Sequence, residues 1–257
     1  MKEFEGKRVL ITGSAKGIGV GIAEVFAENG AELLLHYRTS PEEGEALRKR
    51  LADRGGNVRI FRADLGTKEG IDALFAEVDR VLGGLDAAIN NAGWDPGFMP
   101  LDEVTFESYE KLTDMNIRGT LFCCLNEIKR MRNNASGGSI INLGSVQMDT
   151  TVPGRTLYAM SKGAIHSMTG ELALECGKDR IRLNTIAPGY IEVPRMSNSP
   201  GYNREEIAAG IPLGRIGEPR DIGELALFLA SERSSFITGQ TLIADGGVSR
   251  KLARTAK

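Results

Sequence analysis

Tyr158 and Lys162 stand four residues apart in a stretch whose apolar spacing predicts a helix over 156–176. That spacing puts both side chains on one helix face. A phenol ordinarily keeps its proton up to about pH 10, too high for efficient proton exchange near neutrality. A neighbouring ammonium favours the phenolate and draws that value down. The pair therefore suits general acid–base chemistry. At this spacing such a pair is ordinarily a solvated helix face, so its neighbours in the sequence must decide. The second constellation is Thr12-Gly13-Ser14-Ala15-Lys16-Gly17-Ile18-Gly19, which follows the apolar run Val9-Leu10-Ile11. Glycines here permit a tight turn and let a pyrophosphate approach a helix N-terminus. Such a stretch is a weak signal alone and a strong one between a first strand and a first helix.

The elements that must position these residues alternate along the chain. Short apolar runs lie at 9–11, 33–35, 58–61, 85–89, 139–143, 181–186 and 241–243. Between them come helical patterns at 18–29, 41–54, 71–82, about 104–132, 156–176 and 220–230. Gly30 is placed to end the first helix. This alternation predicts an α/β fold, doubly wound and Rossmann-type, with a parallel sheet of about seven strands and helices on both faces. No linker-like tract or internal repeat divides the chain, so one dinucleotide-binding and catalytic domain over 1–257 is expected. Residues 188–218 are irregular, with four prolines up to Pro212. A long irregular segment of this kind is expected to be a substrate-binding lid.

Composition removes several classes. The 34 acidic and 32 basic residues leave a net charge of −2, which speaks against nucleic acid as a partner. No apolar run is long enough to span a bilayer. Residues 1–8 lack an apolar leader, so a cytoplasmic protein is expected. Cys123, Cys124 and Cys176 are odd in number and badly spaced for a metal, and His36 and His166 are isolated, so no metal site is expected. The cysteines read as small buried apolar residues on helices. Glycine is in excess, 32 of 257 residues against an ordinary ~7%.

The glycine spacing, Thr-Gly-x-x-x-Gly-x-Gly, resembles the fingerprint of the classical short-chain dehydrogenase/reductase family. Asn90-Asn91-Ala92-Gly93, Asn116 with Gly119, Ser145, Tyr158-Ala159-Met160-Ser161-Lys162 and Pro188-Gly189 follow in the family's order. The resemblance implies that Tyr158 exchanges the proton. Ser145, 13 positions before Tyr158, would steady the substrate oxygen; Ser139 lies too early and Ser161 on another helix azimuth. It further implies that Lys162 holds the nicotinamide ribose and that Asn116 carries a water chain from the lysine to solvent. The same resemblance implies cofactor contacts at Gly13, Ser14, Lys16, Gly17, Ile18 and Gly19, at Asp64 and Leu65 by the adenine, at Asn91, Ala92 and Gly93, and at Pro188, Gly189 and Ile191. A turn or N-cap role for Asp64 is equally compatible. Val193 departs from the pattern, since many members have a threonine there. The segment from Phe236 to Gly247 is similar to the family's subunit interface and implies a homotetramer.

Cofactor choice can be argued physically. A carboxylate about 20 residues past the glycines would bond the ribose 2′-hydroxyl of NAD. Here the second strand ends His36-Tyr37-Arg38-Thr39-Ser40, with no carboxylate to repel a 2′-phosphate. Arg38 offers charge-assisted bonds, Thr39 and Ser40 hydroxyls, and Lys16 a second cation. NADP(H) is the expected cofactor.

The substrate is expected to be a small carbonyl or alcohol compound. Trp94, Gln147 and Tyr190 lie in the presumed substrate loops, although Trp94 serves equally well as a cap on the core. Asp95, Gln147 and Asp149 suit a polyhydroxylated substrate and equally suit solvated loops, giving a slight lean toward sugars, polyols or related small ketones. Reduction of a 3-oxoacyl thioester on acyl carrier protein stays open, and so does a different class, a sensor that binds NADP(H) without chemistry. The tail 249–257 carries four basic residues and no acidic one, and reads as a frayed end or an inter-subunit contact.

Overall fold

The computed structural model describes residues 2–251. The basic tail lies outside the described residues from position 252 on. Seven strands, β1 (Arg8–Thr12), β2 (Glu32–Tyr37), β3 (Asn57–Arg62), β4 (Ala87–Asn90), β5 (Gly138–Leu143), β6 (Ile181–Pro188) and β7 (Thr241–Ala244), pair in parallel. Their order is β3-β2-β1-β4-β5-β6-β7. The winding reverses between β1 and β4, which opens a crevice beyond the carboxyl ends of those two strands.

The strands read as unbroken apolar runs because both faces are covered. Val9 and Ile11 face α1 (Ile18–Glu28), α2 (Pro41–Asp53) and the later helix over Pro219–Ala230, through Ile22, Phe26, Leu47 and Ile222. Leu10 points the other way, into a cluster with Leu74, Phe75 and Val78 of α3 (Lys68–Val81). All three cysteines are buried, as expected of apolar helix residues.

The long helical pattern near 104–132 is present but irregular at its centre. It comprises α4 (Phe106–Leu112), a π-turn (Thr113–Gly119) and α5 (Thr120–Met131). The backbone stays right-handed through both joints, at Thr113 (φ −65°) and Gly119 (φ −57°). The remaining helices are α6 (Thr156–Cys176), two short ones within the 188–218 segment, α7 (Pro194–Ser197) and α8 (Arg204–Gly210), and α9 (Pro219–Ala230).

Among the described residues one carboxyl side chain is fully buried. Glu127 of α5 accepts from Asn90 Nδ2 at 2.9 Å, and the same nitrogen donates to Asn142 Oδ1 at 3.0 Å. Burial pushes its carboxyl up to about 8. Glu127 Oε1 and Asn90 Oδ1 find no hydrogen-bond partner among the described residues.

Candidate functional site

The turn from β1 into α1 is held from two sides. Asn91, just past β4, donates through Nδ2 to Thr12 O at 3.0 Å and Gly13 O at 2.7 Å. In return the Thr12 hydroxyl accepts from the amides of Asn91 and Ala92, each at 3.0 Å. From β2, His36 Nδ1 accepts from the Gly13 amide at 3.2 Å, and its Nε2 donates to Ala63 O at 3.0 Å. The ring is thus the neutral Nε2–H tautomer, and burial pushes it down to about 4. The sequence gives His36 no role; parallel pairing of β1 with β2 brings it to the turn.

A Cβ on Gly19 would collide with the Gly13 carbonyl oxygen and stand 2.7 Å from Asn91 Nδ2. Gly17, in the left-handed region at φ 57°, caps α1 with no side-chain hydrogen bond, and no acidic residue occupies the first turn. The first N–H groups of α1 are therefore free of side-chain caps, and a Cβ on Gly17 would meet only the Val193 side chain, at 3.5 Å. Unpaired helix N–H groups behind such a cradle fit a diphosphate. Ser14 is fully buried and its hydroxyl donates to His36 O at 3.2 Å, so its side chain braces the turn.

Beyond β2, Arg38 lies 3.8 Å from Asp64, and Lys16 pairs with Glu43 at 2.8 Å. Both cations are thus shared with carboxylates at the crevice rim. Asp64 accepts from the Gly66 amide at 2.9 Å, which makes it a turn residue, while the cap of α3 is Thr67. Thr39 is exposed, Tyr37 half-buried, and Ser40 and Leu65 buried. Pro188 ends β6, Gly189 packs against Asp245, and Ile191 is buried.

Ser145, Tyr158 and Lys162 meet beyond the carboxyl end of β5. Lys162 Nζ donates to Leu143 O at 2.7 Å and lies 5.5 Å from the centroid of the Tyr158 ring. Burial pushes Lys162 down to about 8, with Asp95 opposing. Burial pushes the Tyr158 hydroxyl up to about 12; Asp95 adds to the rise, and Arg155, Arg195 and the Ser145 hydroxyl pull it back. The net direction for the phenol is therefore upward, because its burial outweighs the charges around it. Desolvation of the phenol dominates, and the lysine is itself buried and tied to a carbonyl. Ser145 also caps a short 3₁₀ turn through the Gln147 amide.

Asn116 sits in the π-turn. Its Oδ1 accepts from Trp94 N at 2.7 Å, and its Nδ2 donates to Trp94 O at 2.9 Å and to Ser161 Oγ at 3.1 Å. Ser161 passes the connection on by donating to Tyr158 O at 2.8 Å. Its azimuth excludes Ser161 from the Ser145 position yet makes it the link between the π-turn and α6. Trp94 is half-buried against the core, with Lys111 Nζ 4.2 Å from its ring centroid. Gln147 accepts from Arg155 Nε at 3.1 Å, and Tyr190 is half-exposed. Among the described residues no cluster could hold a metal, and no helix is long and apolar enough to cross a membrane.

Comparison with known proteins agrees with this geometry. A family model described as enoyl-(acyl carrier protein) reductase matches residues 13–249. Glucose 1-dehydrogenase 2 of Bacillus subtilis is 32% identical over 96% of this chain and 96% of its own. The 3-oxoacyl-(acyl-carrier-protein) reductase of Chlamydia pneumoniae is 36% identical over 95% of this chain and 97% of its own. A short-chain dehydrogenase/reductase from Serratia marcescens superposes with a TM-score of 0.88 at 26% identity, covering 96% of this chain and 99% of that one. A glycine cradle, a buried lysine beside a tyrosine and matches over nearly the whole length have one source: the chain belongs to the classical short-chain dehydrogenase/reductase family, oxidoreductases that act on CH–OH and C=O groups with a nicotinamide cofactor.

Proposed function

We propose that the protein is an NADP(H)-dependent oxidoreductase that interconverts a carbonyl and a secondary alcohol. The observation that carries the reading is the buried Lys162, 5.5 Å from the Tyr158 ring centroid, beside a glycine cradle suited to a diphosphate. A bound nicotinamide supplies or accepts the hydride. Tyr158 gives a proton to the substrate oxygen in reduction and takes it back in oxidation. Ser145 donates a hydrogen bond to that same oxygen as charge develops on it. Lys162, held down to about 8, keeps its charge at neutral pH and favours the phenolate when Tyr158 yields its proton. Asn116 and Ser161 hold the backbone on which Tyr158 stands.

In this reading Gly13, Gly17, Ile18 and Gly19 cradle the diphosphate. Arg38 and Lys16 turn from their carboxylate partners to a 2′-phosphate, with Tyr37, Thr39 and Ser40 beside them. Asp64 and Leu65 flank the adenine. Asn91, Ala92, Gly93, Pro188, Gly189 and Ile191 flank the nicotinamide half. Trp94, Gln147 and Tyr190 contact substrate, and residues 188–218 cover it within a single domain. A cytoplasmic homotetramer belongs to the same proposal.

A sugar, polyol or related small ketone is the favoured substrate, supported by polar Asp95 and Gln147 at the site and by the glucose dehydrogenase relative. A 3-oxoacyl thioester is the second reading, supported by the relative that reduces one. A panel of both groups, followed by NADPH absorbance, tests them. Turnover with one group and loss of turnover in Tyr158→Phe, with cofactor binding retained, is the expected result. Cofactor binding without turnover across the panel favours a sensor instead.

A further inference from the structure

One guanidinium at the rim of the site is gripped from the distant β4 loop and from neighbours on either side of it in its own segment. Arg155, the residue before α6, has only 12% of its side chain exposed, and its Nη1 pairs with Asp95 Oδ1 at 2.7 Å. Its Nε donates to Gln147 Oε1 at 3.1 Å. Its Cζ lies 4.5 Å from the centroid of the Tyr158 ring. Asp95, on the loop after β4, also accepts from the Gly97 amide at 2.9 Å and pairs with Arg195 of α7. A planar cation held at two of its nitrogens cannot swing away from the ring beneath it, and cation and ring face attract.

We propose that Arg155 is a positioning residue for Tyr158: seated by Asp95 and Gln147, it fixes the phenol ring and sets the field in which the hydroxyl ionises. The inference rests on the reading of Tyr158 as proton donor and acceptor. The charged and polar groups facing Tyr158 come from each neighbouring segment. Asp95 comes from the β4 loop, Arg155 and Lys162 from either side of Tyr158 in its own segment, Arg195 from α7 and Ser145 from the end of β5. Lys111 of α4 is turned onto Trp94. Only one carboxylate is in this set, and two guanidiniums share it. Removing Arg155 leaves Asp95 less compensated beside the phenol, whereas removing Asp95 leaves the cations unopposed.

The test needs no substrate. Protein labelled with 13C at tyrosine Cζ gives five signals, since the chain has five tyrosines; that of Tyr158 is the one lost in Tyr158→Phe. Wild type, Arg155→Met, Arg155→Lys and Asp95→Asn are titrated upward from neutral pH, with circular dichroism marking the range in which each stays folded. At the alkaline end of that range, the ionised fraction of Tyr158 should fall roughly tenfold in Arg155→Met and largely recover in Arg155→Lys. In Asp95→Asn it should rise. An Arg155→Met curve that superimposes on wild type overturns the proposal, and so does a shift that the restored charge of Arg155→Lys reverses in no part. If Arg155→Met does not fold, Asp95→Asn decides: a rise supports the proposal and superposition overturns it. If Tyr158→Phe still reduces a carbonyl of the substrate panel at the expense of NADPH, the acid–base reading falls, while the substrate-free titration still decides the role of Arg155.

Discussion

The ring of His36 accepts a hydrogen bond from the Gly13 amide at 3.2 Å, so the glycine turn leans on a histidine that must stay neutral. Burial pushes His36 down to about 4, whereas in the unfolded chain it titrates near ~6.5. The unfolded chain therefore binds this proton more tightly. The stability concerned is complete above about pH 6.5 and drains away as pH falls toward the folded value, by roughly 3 kcal/mol. Urea unfolding of wild type and His36→Gln at several pH values reads this directly. The gap between the two should narrow on acidification, and a constant gap contradicts the assignment.

Arg38 and Lys16 are shared with Asp64 and Glu43, so a 2′-phosphate has to compete for them. A charge-assisted bond still outweighs an exposed ion pair. Arg38→Ala should lower kcat/KM for NADPH on the order of 100-fold and leave the value for NADH nearly unchanged. Steady-state kinetics with both cofactors measures it, and equal losses for both speak against 2′-phosphate recognition.

Asn116 is buried and satisfies both backbone groups of Trp94. Asn116→Ala strands those groups and should cost about 2–3 kcal/mol. Ser161→Ala, which removes a single link in the chain, should cost about 1 kcal/mol. Trp94 is the only tryptophan, so its fluorescence reports the loop alone: a red shift is expected in Asn116→Ala and little change in Ser161→Ala. An unshifted spectrum in the first variant would show that the loop is held by other means.

Glu127 is fully buried, with its carboxyl pushed up to about 8. Here the folded protein holds the proton more tightly than the unfolded chain does. The protonated carboxyl's contribution to stability is complete below the ordinary carboxylate range and is lost as pH rises toward the folded value. Glu127→Gln keeps the shape and supplies a permanent N–H donor beside Asn90, whose Oδ1 lacks a partner. It should gain on wild type as pH rises, by several kcal/mol on the order of the shift. Thermal unfolding from acid to alkaline pH checks this, and a pH-independent difference would exclude a proton on Glu127.

The glycine turn and the Tyr158–Lys162 pair are legible in the sequence because each is fixed within one element by local spacing. The seven strands are legible because burial on both faces makes each a nearly pure apolar run. Arg155, Asp95 and Arg195 carry no such local mark; only folding brings these three segments together over Tyr158. His36 and Ser161 are missed for a related reason, since their roles depend on which neighbouring strand or turn each one faces. The π-turn hides inside a good helical pattern, because the apolar stripe continues on both sides of it.

That π-turn has a consequence for any effort to stabilise the protein. A π-turn is an α-helix that has absorbed one extra residue, leaving the flanking helices in register. Deleting a single residue between Thr113 and Gly119 would restore regular hydrogen bonding from α4 through α5. The same deletion would withdraw Asn116 from Trp94 and Ser161. Helical perfection and the tie between the β4 loop and α6 are therefore alternatives, and a variant selected for the first should lose the second.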